Sequence, residues 1–409
     1  MSQLLKGGIL KLYSSQHSSS FQPNITSFLK DVLVCSLGAY GGPEAHMSVF
    51  LDQMVTKKQY LNEEELIELI ALCSILPGPT STQAIVSIGY KIGGPKLAFM
   101  TLLVWALPVL LMMTLLSFLY PHLSFIGGGA NNFRFIGPMA VGFIIVAAYR
   151  ISKKVLKGPL TYSLFIMAAT ITYFIRSPWI FPLVLIIGGL ISTVFSKEKN
   201  LWHKTAIKPP WIYLIVFSLF ALLGLFSRLV EVPILLDLFE SFYRYGYLVF
   251  GGGQVVVPVM YSELVEVSKH LTHEEFLTGY GLVQGLPGPM FSFSAFAGGM
   301  AAAPYGYFYQ LLGALLSGIS IFLPGILLIF FVYPVWENLK KIRGIQVSLT
   351  GINAVAGGLI SIAAIILFRQ SGLSIENMII STLTIVLLAT KKIPAPLLVL
   401  SVLVVGFIL

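Results

Sequence analysis

Apolar runs long enough to cross a bilayer, or nearly so, recur along this chain near residues 97–120, 135–150, 159–175, 178–195, 211–227, 306–334, 347–368, 375–390 and 394–409. A spanning helix needs roughly 20 such residues. The hydrocarbon core offers no water to backbone N–H and C=O groups, so each run is expected to close its own hydrogen bonds as a helix. A soluble chain carries about a quarter charged residues. Here 11% of the 409 residues are charged and 56% hydrophobic. The chain reads as an all-α polytopic membrane protein.

The connecting loops are unequal. One holds Arg150, Lys153, Lys154 and Lys157, a second Lys197, Lys199, Lys204 and Lys208, a third Lys340, Lys341 and Arg343, and a fourth Lys391 and Lys392. The alternate loops hold at most one, at Arg134, Arg176, Arg228 or Arg369. Basic residues mark the cytoplasmic side, so the rich loops are placed there and the protein in the cytoplasmic membrane. That pattern accounts for the net charge of +9 better than a nucleic-acid partner does. Residues 1–26 have a short apolar patch and no small-residue cleavage site, and read as a cytoplasmic tail. Cys35 and Cys73 lie in apolar segments and support neither a disulfide framework nor a cysteine metal site. There is no P-loop, no HExxH pair and no nucleophile elbow. An ATP-driven pump or an intramembrane hydrolase is therefore not expected, nor a metal or cofactor.

The chain repeats itself. Displaced by 210 residues, "GGP" at 41–43 meets "GGG" at 251–253, Glu64 and Glu65 meet Glu274 and Glu275, and "LPGP" at 76–79 meets "LPGP" at 286–289, with 13 identities over the 49 positions 41–89. The next spans match as well, "VWALPVLL" with "IFLPGILL". The basic loops make span 97–120 run outwards and its counterpart 306–334 inwards, which leaves 211–227 as the single crossing that an inversion requires. An inverted-topology repeat with broken helices is a mark of secondary transporters. The expected organisation is a tail at 1–26, a first repeat at 27–195, a basic loop and linking helix at 196–235, and an inverted second repeat at 236–409.

Segments 27–57 and 63–92 are broken by "GGPEAH" and "PGPTSTQ". The second piece opens Asn62-Glu63-Glu64-Glu65, and its repeat opens Thr272-His273-Glu274-Glu275, both resembling capping boxes. From Glu63 to Leu76 a helix would extend about 21 Å, too short for a hydrocarbon core of about 30 Å. Either a re-entrant hairpin or one crossing made of two half-helices fits. The hairpin is favoured because it keeps Lys57, Lys58, Lys91 and Lys96 on one side. A packing kink would explain a single break, but four breaks at matching positions suit unwound backbone that lines a cavity.

After Pro79 a new helix opens with N–H groups lacking internal partners and with the positive end of its dipole. Thr80, Ser81 and Thr82 add hydroxyls and Gln83 an amide, neutral donors suited to a tetrahedral oxyanion. Local back-bonding to the helix is the plainer role for these hydroxyls, and the two roles coexist. Ser292 and Ser294 follow the second Pro-Gly-Pro and Gln284 precedes it. The four tips are expected to converge on one central site. Glu44 and His46 are the leading ionisable groups near a break and candidates for proton exchange, whereas their repeat positions hold Gln254 and Val256. Asp31, Glu240 and Arg244 read as ion pairs or surface charges.

"GGPEAH" at 41–46, "LPGPTSTQ" at 76–83, "FGGGQVVVP" at 250–258 and "GLVQGLPGP" at 281–289 together resemble the motifs of the chromate ion transporter family in its long, two-domain form. The resemblance covers roughly residues 27–409; Tyr40 departs from it, where the first motif often has the phenylalanine that the second has at Phe250. It implies a secondary transporter exporting chromate on the proton motive force and giving chromate resistance, with sulfate or another oxyanion as the alternative cargo and a non-transporting scaffold as the remote one. By position it carries over Gly41, Gly42, Pro43, His46, Pro77, Gly78, Pro79, Gln83, Gly251, Gly252, Gly253, Gln284, Pro287, Gly288 and Pro289 as transport-site residues. The expected partners are chromate or a similar oxyanion, protons as the coupling ion and the lipid bilayer, with a homodimer left open.

Overall fold

The computed structural model describes residues 24–124, 132–175, 177, 179–198, 201–202, 208–227, 232–250, 253–372, 374–390 and 392–408. Among these residues all regular structure is helical. The first half comprises α1 (Ile25–Gly38), α2 (Pro43–Phe50) continued by a π-helical turn (Leu51–Lys57), α3 (Glu63–Ile75), α4 (Thr80–Leu123), α5 (Ile136–Val155), α6 (Pro159–Phe174) and α7 (Ile180–Val194), and α8 (Trp211–Ser227) links it to the second. The second half comprises α9 (Ile234–Tyr247), a 3-10 turn (Gly253–Val256), α10 (Val257–Tyr261), a π-helical turn (Ser262–Val267), α11 (His273–Val283), a 3-10 turn (Met290–Ser292), α12 (Phe293–Ala302), a 3-10 turn (Ala303–Tyr305), α13 (Tyr307–Ser320), α14 (Leu323–Val332), α15 (Trp336–Leu339), α16 (Arg343–Gln370), α17 (Ile375–Thr390) and α18 (Ala395–Ile408).

The duplication reaches single backbone angles. Among the described residues Gln59 and Lys269 are the non-glycine residues with positive φ, both at 53°, and they lie 210 positions apart. Each ends a π-helical turn and is followed by a capping box. The Asn62 side chain accepts the Glu65 N–H at 2.8 Å while the Glu65 carboxylate accepts the Asn62 N–H at 3.0 Å. Thr272 and Glu275 repeat the exchange at 3.2 and 2.8 Å. Both boxes satisfy the first donors of a short helix where it begins. The π-helical turns themselves leave no mark in apolar periodicity.

The breaks after α3 and α11 make hairpins. α3 has 13 residues, about 20 Å of helix. Its base is joined to the returning leg by an ion pair between Glu65 and Lys91, and farther in Cys73 Sγ lies 3.8 Å from Ser87 Oγ. The two legs therefore run antiparallel. In the second half the Phe276 and Phe293 rings meet at 5.0 Å across the equivalent hairpin, and a Cβ on Gly279 would stand 2.2 Å from Phe296.

One boundary matches the sequence reading and one differs. The returning leg and the following span, joined end to end in α4, are parted by non-helical backbone at Gly93 (φ −146°) and Gly94 (φ 69°) before Pro95, as separate segments at 80–92 and 97–120 require. The span near 306–334, expected as one, is divided. Pro324 has no N–H to offer the carbonyl four residues back, so α13 stops at Ser320 and α14 starts afresh at Leu323. In α4 the matching Pro108 is carried inside the helix.

α16 is about 42 Å long at 28 residues and relates the two hairpins to each other. At its start the Gly344 N–H donates to Leu201 O at 2.8 Å, Arg343 pairs with Glu198, and Lys340 beside it pairs with Glu68 on α3. At its far end Gln370 Nε2 donates to Glu266 Oε1 at 3.4 Å, on the turn that precedes α11. The bases of the two hairpins thus lie at opposite ends of α16. Midway, α16 crosses its own counterpart α5, with Ser152 Oγ 3.1 Å from Ser361 Oγ. Small residues permit these crossings. A Cβ on Gly351 would stand 2.1 Å from Gly188 O, and one on Gly358 2.3 Å from Phe165 O.

Candidate functional site

The four breaks form a closed ring. At the first tip, "LPGP", the Gly78 N–H donates to Val249 O at 2.9 Å, just before the Gly-rich break of the second half. At the second tip the Gly288 N–H donates to Ala39 O at 2.8 Å, just before the break of the first. These bonds are related by the 210-residue displacement at both ends. Two further joints close the ring: His46 Nδ1 lies 3.0 Å from Ser81 Oγ, and Val256, Val257, Met290 and Phe291 line one small apolar cavity. Backbone at this depth has no solvent to satisfy it, and the two halves satisfy each other.

Each tip also rests on the proline-containing span of the opposite half. A Cβ on Gly78 would meet the Gln83 amide at 2.5 Å and Gly325 Cα at 3.2 Å; one on Gly288 would meet Val109 Cγ1 at 3.0 Å. Val109 follows Pro108 and Gly325 follows Pro324. Both tip glycines have positive φ, 136° at Gly78 and 104° at Gly288, so glycine is required twice over. At the first Gly-rich break Gly41 and Gly42 turn at φ 85° and 95°, and Pro43 then opens α2.

The first tip carries the polar groups. Pro79 is the N-cap of α4 and supplies no side-chain cap, so the N–H groups of Thr80, Ser81 and Thr82 open the helix without internal partners. Ser81 and Thr82 are buried, the former on His46, the latter accepting the Trp105 Nε1–H at 3.1 Å. Trp105 also stands edge-on to the His46 ring at 5.4 Å, and its carbonyl accepts from Ser36 Oγ at 2.7 Å. Gln83 is used differently from the sequence reading. Its Nε2 donates to Pro77 O at 2.9 Å and Gly325 O at 3.3 Å, so the amide N–H groups latch the tip to α14.

The second tip is plainer. Pro289 caps a 3-10 turn, with Ser292 N–H to Pro289 O at 3.0 Å, before α12 begins. Ser292 and Ser294 are fully buried and, among the described residues, their hydroxyls have no hydrogen-bond partner, nor has Gln284 Nε2. Pro287 lies between them, and Gly253 and Gln254 open the 3-10 turn of the second break. Gly251 and Gly252 lie outside the described residues, as does the Glu44 side chain, so of the coupling candidates His46 alone is placed. It is 2% exposed, with Nε2 unpartnered among the described residues.

Asp31, Glu240 and Arg244, read from the sequence as ion pairs or surface charges, belong to two buried polar latches whose other members the sequence reading missed. Arg244 Nε donates to Glu240 Oε1 at 2.7 Å and its Nη2 to both oxygens of Glu263 at 2.8 and 2.9 Å, while Tyr245 OH donates to Glu263 Oε2 at 2.9 Å. In the first half Asp31 accepts from Gln53 Nε2 at 2.9 Å and Tyr60 OH at 2.7 Å. Gln53 and Glu263 are equivalent positions on the two π-helical turns, and each ties its turn to the first helix of its half. The polar character shared at these two positions was the available signal.

The family described as chromate transporter matches residues 26–194 and 236–407. The chain is 26% identical to a chromate transport protein of Cupriavidus metallidurans over 90% of this chain and 89% of that one. It is also 26% identical to a probable chromate transport protein of Synechococcus elongatus, over 91% and 93%, and 24% identical to an uncharacterized transporter of Methanocaldococcus jannaschii, over 78% of each. No solved structure matches the chain.

Proposed function

Since this chain belongs to the chromate transporter family, we propose that it is a secondary transporter that carries chromate out across the cytoplasmic membrane and so gives chromate resistance. One observation supports this reading above the others: the ring in which each tip bonds the break of the opposite half, Gly78 to Val249 and Gly288 to Ala39. A ring of that kind places the open N-terminus of α4, with Ser81 and Thr82 beside it, where two halves with oppositely placed hairpins meet. The positive helix end and neutral hydroxyls hold an oxyanion without a fixed cation that would trap it. Exit of an anion from a negative cytoplasm is favoured by about 2.3 kcal/mol per charge at 100 mV, so the electrical part of the proton motive force drives export. His46, on Ser81, and Glu44, two residues before it in the chain, are the candidate proton-coupling groups.

Purified protein in proteoliposomes tests the reading. Saturable chromate flux that responds to an imposed potential is expected, and flux no greater than in empty liposomes would sink it. Competition by sulfate separates chromate selectivity from general oxyanion carriage.

A further inference from the structure

The Gln83 amide is held in one orientation. Its nitrogen serves two carbonyls, Pro77 O and Gly325 O, and turning it over would set its oxygen against both. Gly78 leaves the room for this: a Cβ there would overlap the amide nitrogen. The other end of the amide, Oε1, has no hydrogen-bond partner among the described residues, on a residue only 1% exposed. An acceptor therefore stands at a tip otherwise furnished with donors, the opening N–H groups of α4 and the hydroxyls of Ser81 and Thr82. A buried acceptor is satisfied by a ligand that brings a hydrogen. A fully deprotonated tetrahedral dianion brings none.

We propose, building on the transporter reading, that this tip selects an oxyanion that still carries one proton. The bare oxygens take the helix N–H groups and hydroxyls, and the remaining hydroxyl donates to Gln83 Oε1. Tetrahedral oxyanions of similar shape differ in this respect. Chromate gains its proton near neutral pH, phosphate keeps at least one there, and sulfate accepts one only in strong acid. The proton then crosses as part of the cargo, and transport depends on pH without a titrating side chain. His46, through Ser81, is the titratable group that reaches this tip among the described residues, and α14, whose Gly325 meets the amide, carries none. Position 293, the equivalent of Gln83, is phenylalanine, so the acceptor belongs to the first half alone.

The test uses the full chain in proteoliposomes, with chromate as the cargo and phosphate or sulfate as competitor. KM for total chromate is expected to rise about tenfold per pH unit above neutrality, following the shrinking hydrogen-bearing fraction, with the maximal rate unchanged. Sulfate is expected to compete less well than phosphate by about tenfold or more. Gln83→Leu should bring that ratio towards one; if this variant fails to fold, the wild-type measurements decide alone. A KM independent of pH, or sulfate competing as well as phosphate in the wild type, overturns the proposal and leaves the transporter intact. Absence of saturable chromate flux at every pH overturns both.

Discussion

Gly78 shows how much one hydrogen atom decides at the first tip. Its φ of 136° and the Gln83 amide 2.5 Å from where a Cβ would stand make Gly78→Ala strained in two ways, at a cost of order 1–3 kcal/mol. Transport by this variant is expected to fall at least tenfold, measured as initial chromate flux per folded protein; Gly38→Ala, with open space around it, is the control. Trp105→Phe keeps the ring beside His46 but loses the donor to Thr82, so about 1 kcal/mol, or severalfold in KM, is expected with the fold intact. Glu44→Gln distinguishes two routes for protons. A flattened pH dependence of flux in this variant assigns coupling to Glu44; an intact one moves it elsewhere, to His46 or to the cargo.

At the scale of the element, the hairpins are the working parts, and their bases make a direct prediction. Single cysteines at Glu64 and Glu274, exposed equivalents on α3 and α11, are expected to react with a membrane-impermeant maleimide from opposite sides. The native Cys35 and Cys73 are fully buried and give a low background. Labelling of both from one side would contradict the arrangement. The hairpins were legible because their signals are local: Pro-Gly-Pro stops a helix, and Asn62 with Glu65, or Thr272 with Glu275, starts one. The π-helical turns were not, since no residue type announces an extra residue in a turn. Nor was the second task of Gln83, whose partner Gly325 is 242 positions away and offers only a carbonyl. The division of α4 at Gly93-Gly94-Pro95 was legible as well, because two glycines before a proline interrupt a helix and both leave helical angles there.

For the whole molecule, the ring implies that neither half has a complete site. Residues 1–195 and 208–409, produced separately, are expected to be inactive, and together to restore chromate flux in proteoliposomes; flux from one half alone would show that the ring is dispensable. The repeat was visible in the chain as 13 matches in 49, yet its contacts were not, because pairing between duplicates is written in no local pattern. The bonds Gly78 to Val249 and Gly288 to Ala39 carry a historical consequence. Joints that obey a two-fold relation can be closed by two copies of one short ancestor inserted in opposite directions. Once fused, the copies were free to specialise, and the amide at position 83 against the phenylalanine at its equivalent, 293, records where the two sequences parted.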